Sequence, residues 1–109
     1  MKLVMAIIHD EDAYEIMDIL GDKGYMVTKL ASTGGFLRAG NTTLICGVTE
    51  DKIPELMDII EQKCKARKQL APTNTPALYG KETYIPQPVE ITVGGATVFV
   101  LDVFEFKKF

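Results

Sequence analysis

After Lys2, the run Leu3-Val4-Met5-Ala6-Ile7-Ile8 is apolar at every position, so neither face of the strand it predicts can be left to water. Such a strand sits centrally in a sheet, with cover on both sides from the same chain or from another copy. With 109 residues, 47% of them apolar, the chain has material for one domain, residues 1–109, with a real but modest core. The run gives way at once to His9-Asp10-Glu11-Asp12, too soon for a signal peptide or a membrane span, which reads as a cytoplasmic protein.

The elements that follow are spaced by their apolar periods. Ala13, Ile16, Met17 and Leu20 keep the i, i+3, i+4, i+7 rule of a helix, with Asp10 or Asp12 as its expected cap and Gly24 as its end. Tyr25 to Leu30 alternates, with Tyr25, Val27 and Lys29 on one face and Met26, Thr28 and Leu30 on the other. The strand pattern resumes at Thr42 to Val48, and the two strands are expected to pair. Asp51 is an expected cap for a second helix, whose buried stripe is Ile53, Leu56, Met57, Ile60 and Cys64, with Pro54 tolerated in its first turn. From Ala66 to Pro88 the periodicity stops and four prolines appear, which predicts a long, functional loop. Val89 to Val93 and Ala96 to Val103 are strand-like, and Gly94-Gly95 between them fits either a tight hairpin or one long strand with a bulge.

A β-α-β-β-α-β order is the pattern of the α+β ferredoxin-like fold, an antiparallel sheet with both helices on one face. The other face then needs cover, and no further helix is available. Face-to-face packing of two or three copies is therefore expected, with Phe99, Leu101, Phe104 and Phe106 free to finish the core.

Fifteen acidic against twelve basic side chains give a net charge of −3, which opposes a long polyanion such as DNA or RNA but allows a pocket for one or two phosphates. Cys46 and Cys64 both fall on apolar stretches and read as reduced, buried thiols. The single histidine, His9, cannot fill a histidine-rich metal site, and its acidic neighbours point in different directions, which suits helix capping better than coordination. No serine or cysteine has a histidine base near it in sequence, so no catalytic residue and no metal site are expected.

The candidate ligand chemistry lies between the second and third strands. The run Ala31-Ser32-Thr33-Gly34-Gly35-Phe36-Leu37-Arg38-Ala39-Gly40-Asn41-Thr42-Thr43 matches neither the phosphate-loop nor the dinucleotide glycine pattern. Its glycines nevertheless let backbone N–H groups converge on an anion. Thr28 and Thr33 add hydroxyls, Arg38 a guanidinium, and Asn41 a paired donor and acceptor for a base edge. Phe36 is placed to stack on a purine, although Phe36-Leu37 serves equally as a loop anchor, Arg38 as a surface charge and Asn41 as a turn residue. Gly47 interrupts Leu44-Ile45-Cys46 as either a bulge or a point of close ligand approach.

The run from Thr28 to Thr43, together with Cys46-Gly47-Val48, Tyr84-Ile85-Pro86 and Val93-Gly94-Gly95-Ala96-Thr97-Val98-Phe99-Val100, resembles the PII-like cyclic di-AMP receptor proteins of Gram-positive bacteria. The resemblance spans essentially the whole chain. It implies a PII-like homotrimer of ferredoxin-like subunits, with a short T-loop, an enlarged loop after the second helix, and a ligand site in each cleft between neighbours. It also implies a signal-transduction receptor rather than an enzyme, with cyclic di-AMP as ligand, no cofactor, and an unidentified protein target reached through loop changes. On that resemblance Thr28 is a phosphate contact, and Gly35, Phe36, Leu37 and Asn41 surround one adenine. Gly47 lets ligand or backbone come close and Phe99 lines the same cleft, while Arg38 joins the candidate ligand-binding set for its guanidinium. Some members carry arginine where this chain has Met26, and glutamine where it has Lys108; Met26 can pack its thioether against a ring but supplies no charge. The competing readings are a PII-like regulator that binds ATP or another mononucleotide, a phosphate-chemistry enzyme, and a scaffold trimer.

Overall fold

The computed structural model describes residues 1–32, 40–71 and 89–109. In chain order they form β1 (Lys2–His9), α1 (Asp10–Asp22), β2 (Val27–Ser32), β3 (Asn41–Val48), a 3-10 turn (Glu50–Lys52), α2 (Ile53–Cys64), β4 (Arg67–Ala71), β5 (Val89–Val93) and β6 (Ala96–Asp102). The all-apolar run is central, as expected: the sheet order is β2-β3-β1-β6, with every neighbouring pair antiparallel. Two helices and an antiparallel sheet in this order are compatible with the ferredoxin-like fold.

Alternation along β1 and β3 sends Val4, Ala6, Ile8, Leu44, Cys46 and Val48 to the helix side. There they meet Ala13, Ile16 and Leu20 of α1 and Leu56, Ile60 and Cys64 of α2 in one core. Ile53, Met17, Tyr25 and Val27 pack against its margin, as their periods predict. Met57 departs from the expected stripe. It is 37% exposed and lines an apolar groove of about 410 Å³ beside Ile60, Ala96 and Val98, because β6 has no neighbour beyond it among the described residues. Cys46 and Cys64 are free and buried, and burial raises both thiols, Cys64 to about 11, so both stay protonated at neutral pH.

Neither helix takes the predicted carboxylate cap. His9 occupies the N-cap of α1 and Lys52 that of α2, and neither makes a side-chain capping bond. Asp51 falls in the 3-10 turn that precedes α2. Asp10 and Asp12 are drawn instead to partners outside their helix, Thr42 and Arg67, while still placing negative charge in the first turn of α1. The end of α1 follows expectation: Gly24 takes φ 90°, and its N–H donates to the Gly21 carbonyl at 3.0 Å.

The long loop expected from Ala66 to Pro88 begins as a strand. Arg67–Ala71 pairs antiparallel with Val89–Val93 in a separate two-stranded ribbon. Polar Arg67, Lys68 and Gln69 carry little strand signal alone, and a partner about twenty residues later supplies the ladder. Residues 72–88 lie outside those described. Gly94-Gly95 forms neither a hairpin nor a bulge within one sheet. At φ 79° and 108° the pair carries the chain out of the ribbon and into the main sheet, and the Gly95 N–H donates to the Cys64 carbonyl at the end of α2.

Candidate functional site

Cross-strand register places the described ligand candidates on the sheet face opposite the helices. Thr28 pairs with Ile45, Ile45 with Met5, and Met5 with Phe99, so these four side chains form one row from the β2 edge to the β6 edge. Asn41, paired with His9, and Gly47, paired with Leu3, fall on the same face. Leu3, Met5, Ile7 and Ile45 are half-buried there, while Leu30, Phe99 and Leu101 are exposed, each at more than 40%. This is the uncovered apolar face expected from the shortage of helices.

Register also shows which candidates one chain brings together. Met26 and Gly47 share the wall of a cavity of about 300 Å³, with Lys23, Tyr25 and Lys52 on its rim. Thr28 lies on the same face, in the pair next along from Gly47. Asn41 stands six residues from Gly47 on β3, about 20 Å away at strand rise. Phe99 is three strand spacings from Thr28, about 14 Å across the sheet. Gly35, Phe36, Leu37 and Arg38 lie outside the described residues.

Gly47 is not a bulge: its pairing with Leu3 continues the β1–β3 ladder without interruption. A Cβ added there would lie 3.6 Å from the Met1 sulfur, an ordinary contact, so packing does not require glycine. What remains is the flat floor it gives the cavity beside Met26, the close-approach alternative. Tyr25 closes one side, its hydroxyl donating to the Lys52 carbonyl at 3.3 Å, and partial burial together with Glu55 raises the phenol above its ordinary value. Lys23 and Lys52 supply positive charge to the rim, and among the described residues neither forms an ion pair. Sequence reading missed both lysines: Lys23, three residues before Met26, belongs to no motif, and only the fold of the β2 entrance against the end of β3 brings Lys52 there.

Asn41 is 4% exposed at the start of β3 and is held through its neighbours. The Asp10 N–H donates to the Gly40 carbonyl at 3.1 Å, and the Thr42 hydroxyl donates to the Asp10 carboxylate at 2.6 Å. His9, Asp10 and Glu11 border a shallow hollow beside Gly40, and among the described residues no set of His, Cys, Asp or Glu could hold a metal ion. Among the same residues no helix is long and apolar enough to cross a membrane.

The open face carries a hydroxyl, a thioether over a glycine floor, a buried amide and an aromatic ring on the far edge, with two ammonium groups on the rim of the cavity beside Met26. That set suits a ligand with flat apolar and anionic parts. The chain is similar to a crystal structure described as a functionally unknown protein from Pediococcus pentosaceus ATCC 25745, at 41% identity over 99% of this chain and 96% of that one, with a TM-score of 0.79. The family model of the cyclic-di-AMP receptor matches residues 1–109, the whole length. The chain belongs to the cyclic-di-AMP receptor family.

Proposed function

We propose that this protein is a PII-like homotrimeric receptor, residues 1–109 forming one domain of each subunit, that binds cyclic di-AMP in the clefts between neighbours and regulates a protein target through loop changes. It acts by binding rather than by catalysis, and in the cytoplasm. One observation carries the reading. Thr28 and Phe99 share a sheet face but stand on opposite edges, and neither lines the cavity beside Met26 and Gly47. A site using both residues on one compact ligand is built from two copies, the β2 edge of one meeting the β6 edge of the next.

In this reading Thr28 and the lysines of the rim face the phosphates, and Met26 packs on an adenine over Gly47. Gly35, Phe36, Leu37 and Asn41 surround the second base, with Arg38 beside them, and Phe99 of the neighbour completes the cleft. No general base and no metal enter this chemistry. Occupancy orders the short T-loop, the enlarged loop after α2, or both, and so changes the surface shown to the target.

Mixed trimers test the shared cleft. Thr28→Val and Phe99→Ala each lower cyclic di-AMP affinity when present in every subunit. Refolding the two variants together restores tight binding in roughly a quarter of the clefts, where an intact Thr28 faces an intact Phe99. If mixing restores none, the two residues act within one chain and the intersubunit cleft is wrong.

A further inference from the structure

The first turn of α1 holds two separate parts of the molecule by carboxylates two residues apart. Asp10 takes the start of β3: its N–H donates to the Gly40 carbonyl at 3.1 Å, and its carboxylate accepts from the Thr42 hydroxyl at 2.6 Å. These are the residues immediately before and after Asn41. A Cβ at Gly40 would lie 2.5 Å from Asp10 Oδ2 and 3.5 Å from Asp10 Cγ, so a side chain there displaces the carboxylate. The carboxylate occupies the volume of the missing side chain.

Asp12 takes the base of the ribbon. Arg67, the first residue of β4, donates through Nη2 to Asp12 Oδ1 at 3.2 Å and through Nη1 to the Lys65 carbonyl at 3.3 Å. Asp12 is 8% exposed, so this pair is largely removed from solvent on the acid's side. Gly94, which follows β5, lies under the same guanidinium: a Cβ there would come within 2.5 Å of Arg67 Nη1 and 2.9 Å of the Lys65 carbonyl. Both strands of the ribbon therefore meet at Arg67 at its base, and Arg67 is fixed to α1. Residues two apart on a helix point in nearly opposite directions, so one turn grips β3 on one side and the ribbon on the other.

We propose that this turn is a two-sided clamp in which Asp10 is a positioning residue for Asn41 and Asp12–Arg67 transmits its setting to the β4–β5 ribbon. The inference rests on the receptor reading for what Asn41 binds, but the mechanical link does not. Displacement at Gly40–Thr42 moves the first turn of α1, and the first turn moves Arg67. The start of β3 and the base of the ribbon thus share one support.

Amide exchange of the free protein tests the link without ligand. Asp10→Ala is expected to raise exchange at Arg67, Lys68 and Gly95 as well as around Thr42, by about fivefold or more, and Arg67→Met to raise it around Asn41 and Thr42 by a similar factor. Asp10→Asn, which keeps an acceptor oxygen for Thr42, stays near wild type and controls for a folding defect. Increases confined in each variant to its own side of the turn overturn the clamp. Gly40→Ala, which expels the carboxylate, is expected to weaken cyclic di-AMP binding about tenfold, as Asp10→Ala does. The double variant binds no more weakly than either single one, because the methyl then fills space already vacated. Additive losses overturn the positioning role of Asp10. Wild-type protein that shows the linked exchange but binds no cyclic di-AMP refutes the receptor reading and leaves the clamp standing.

Discussion

Met5→Asp is expected to leave the subunit folded and to abolish its assembly. Met5 stands at the centre of the open face, paired with Ile45 on one side and Phe99 on the other, and its side chain points away from the helices. The core on the helix side, from Val4, Ala6 and Ile8 to Ile16, Leu20, Leu56 and Ile60, is untouched by the change. In the isolated subunit the half-buried position leaves a carboxylate access to water. In the proposed trimer three copies bring the face together, and each carboxylate loses water without gaining a cation, a cost of several kcal/mol per ion. At 1.4 kcal/mol for each tenfold, assembly at micromolar concentration does not survive that penalty. Native mass spectrometry then gives 12.1 kDa in place of three chains, with an unchanged far-ultraviolet circular dichroism spectrum. A Met5→Asp protein that stays trimeric would show that the open face is not the interface.

Phe36→Ala is expected to weaken cyclic di-AMP binding by about 10- to 100-fold while leaving the trimer intact. Stacking of a base on an aromatic ring contributes about 1–3 kcal/mol, and the affinity loss follows from that range. Phe36→Tyr keeps the π-face and recovers most of the affinity, whereas Phe36→Leu keeps only bulk. Titration of each variant separates the two roles the sequence allows this residue: a loop anchor makes leucine the better replacement, a stacking partner makes tyrosine the better one. Melting temperature and native mass, measured alongside, are expected to stay within the range of wild type.

The elements whose packing follows from their own periodicity were legible before any coordinates. Ala13, Ile16 and Leu20 declare α1; Leu56, Ile60 and Cys64 declare α2; and the alternation from Tyr25 to Leu30 groups Met26, Thr28 and Leu30 on one face, which register identifies as the open one. Strand β4 was hidden because Arg67, Lys68 and Gln69 satisfy no apolar period, and its pairing depends on residues about twenty positions on. The caps were misread for a related reason. Asp10 and Asp12 are good cap residues in isolation, but Thr42 and Arg67, 32 and 55 residues away, compete for them successfully. Gly94-Gly95 announced a turn and concealed its kind, since a hairpin and a passage between sheets make the same local demand on φ.

The candidate site divides in the same way. Residue types and order around Thr28, Asn41 and Gly47 point to ligand chemistry, and the resemblance over the full length names the ligand class. Their distances do not follow from order: Met26 and Gly47, 21 positions apart in sequence, face one cavity, while Asn41 and Gly47 on a single strand stand about 20 Å apart. Lys23 and Lys52 have no motif at all: Lys23 stands three residues before Met26, and Lys52 joins the site only through the packing of Tyr25 against it.

The central claim is tested most directly by calorimetric titration of the intact protein with cyclic di-AMP, with ATP and cyclic di-GMP as controls and native mass measured on the same sample. The account predicts a trimer that takes up cyclic di-AMP at one molecule per subunit and neither control with comparable affinity. A folded trimer that binds no cyclic di-AMP, or that prefers ATP, would contradict it.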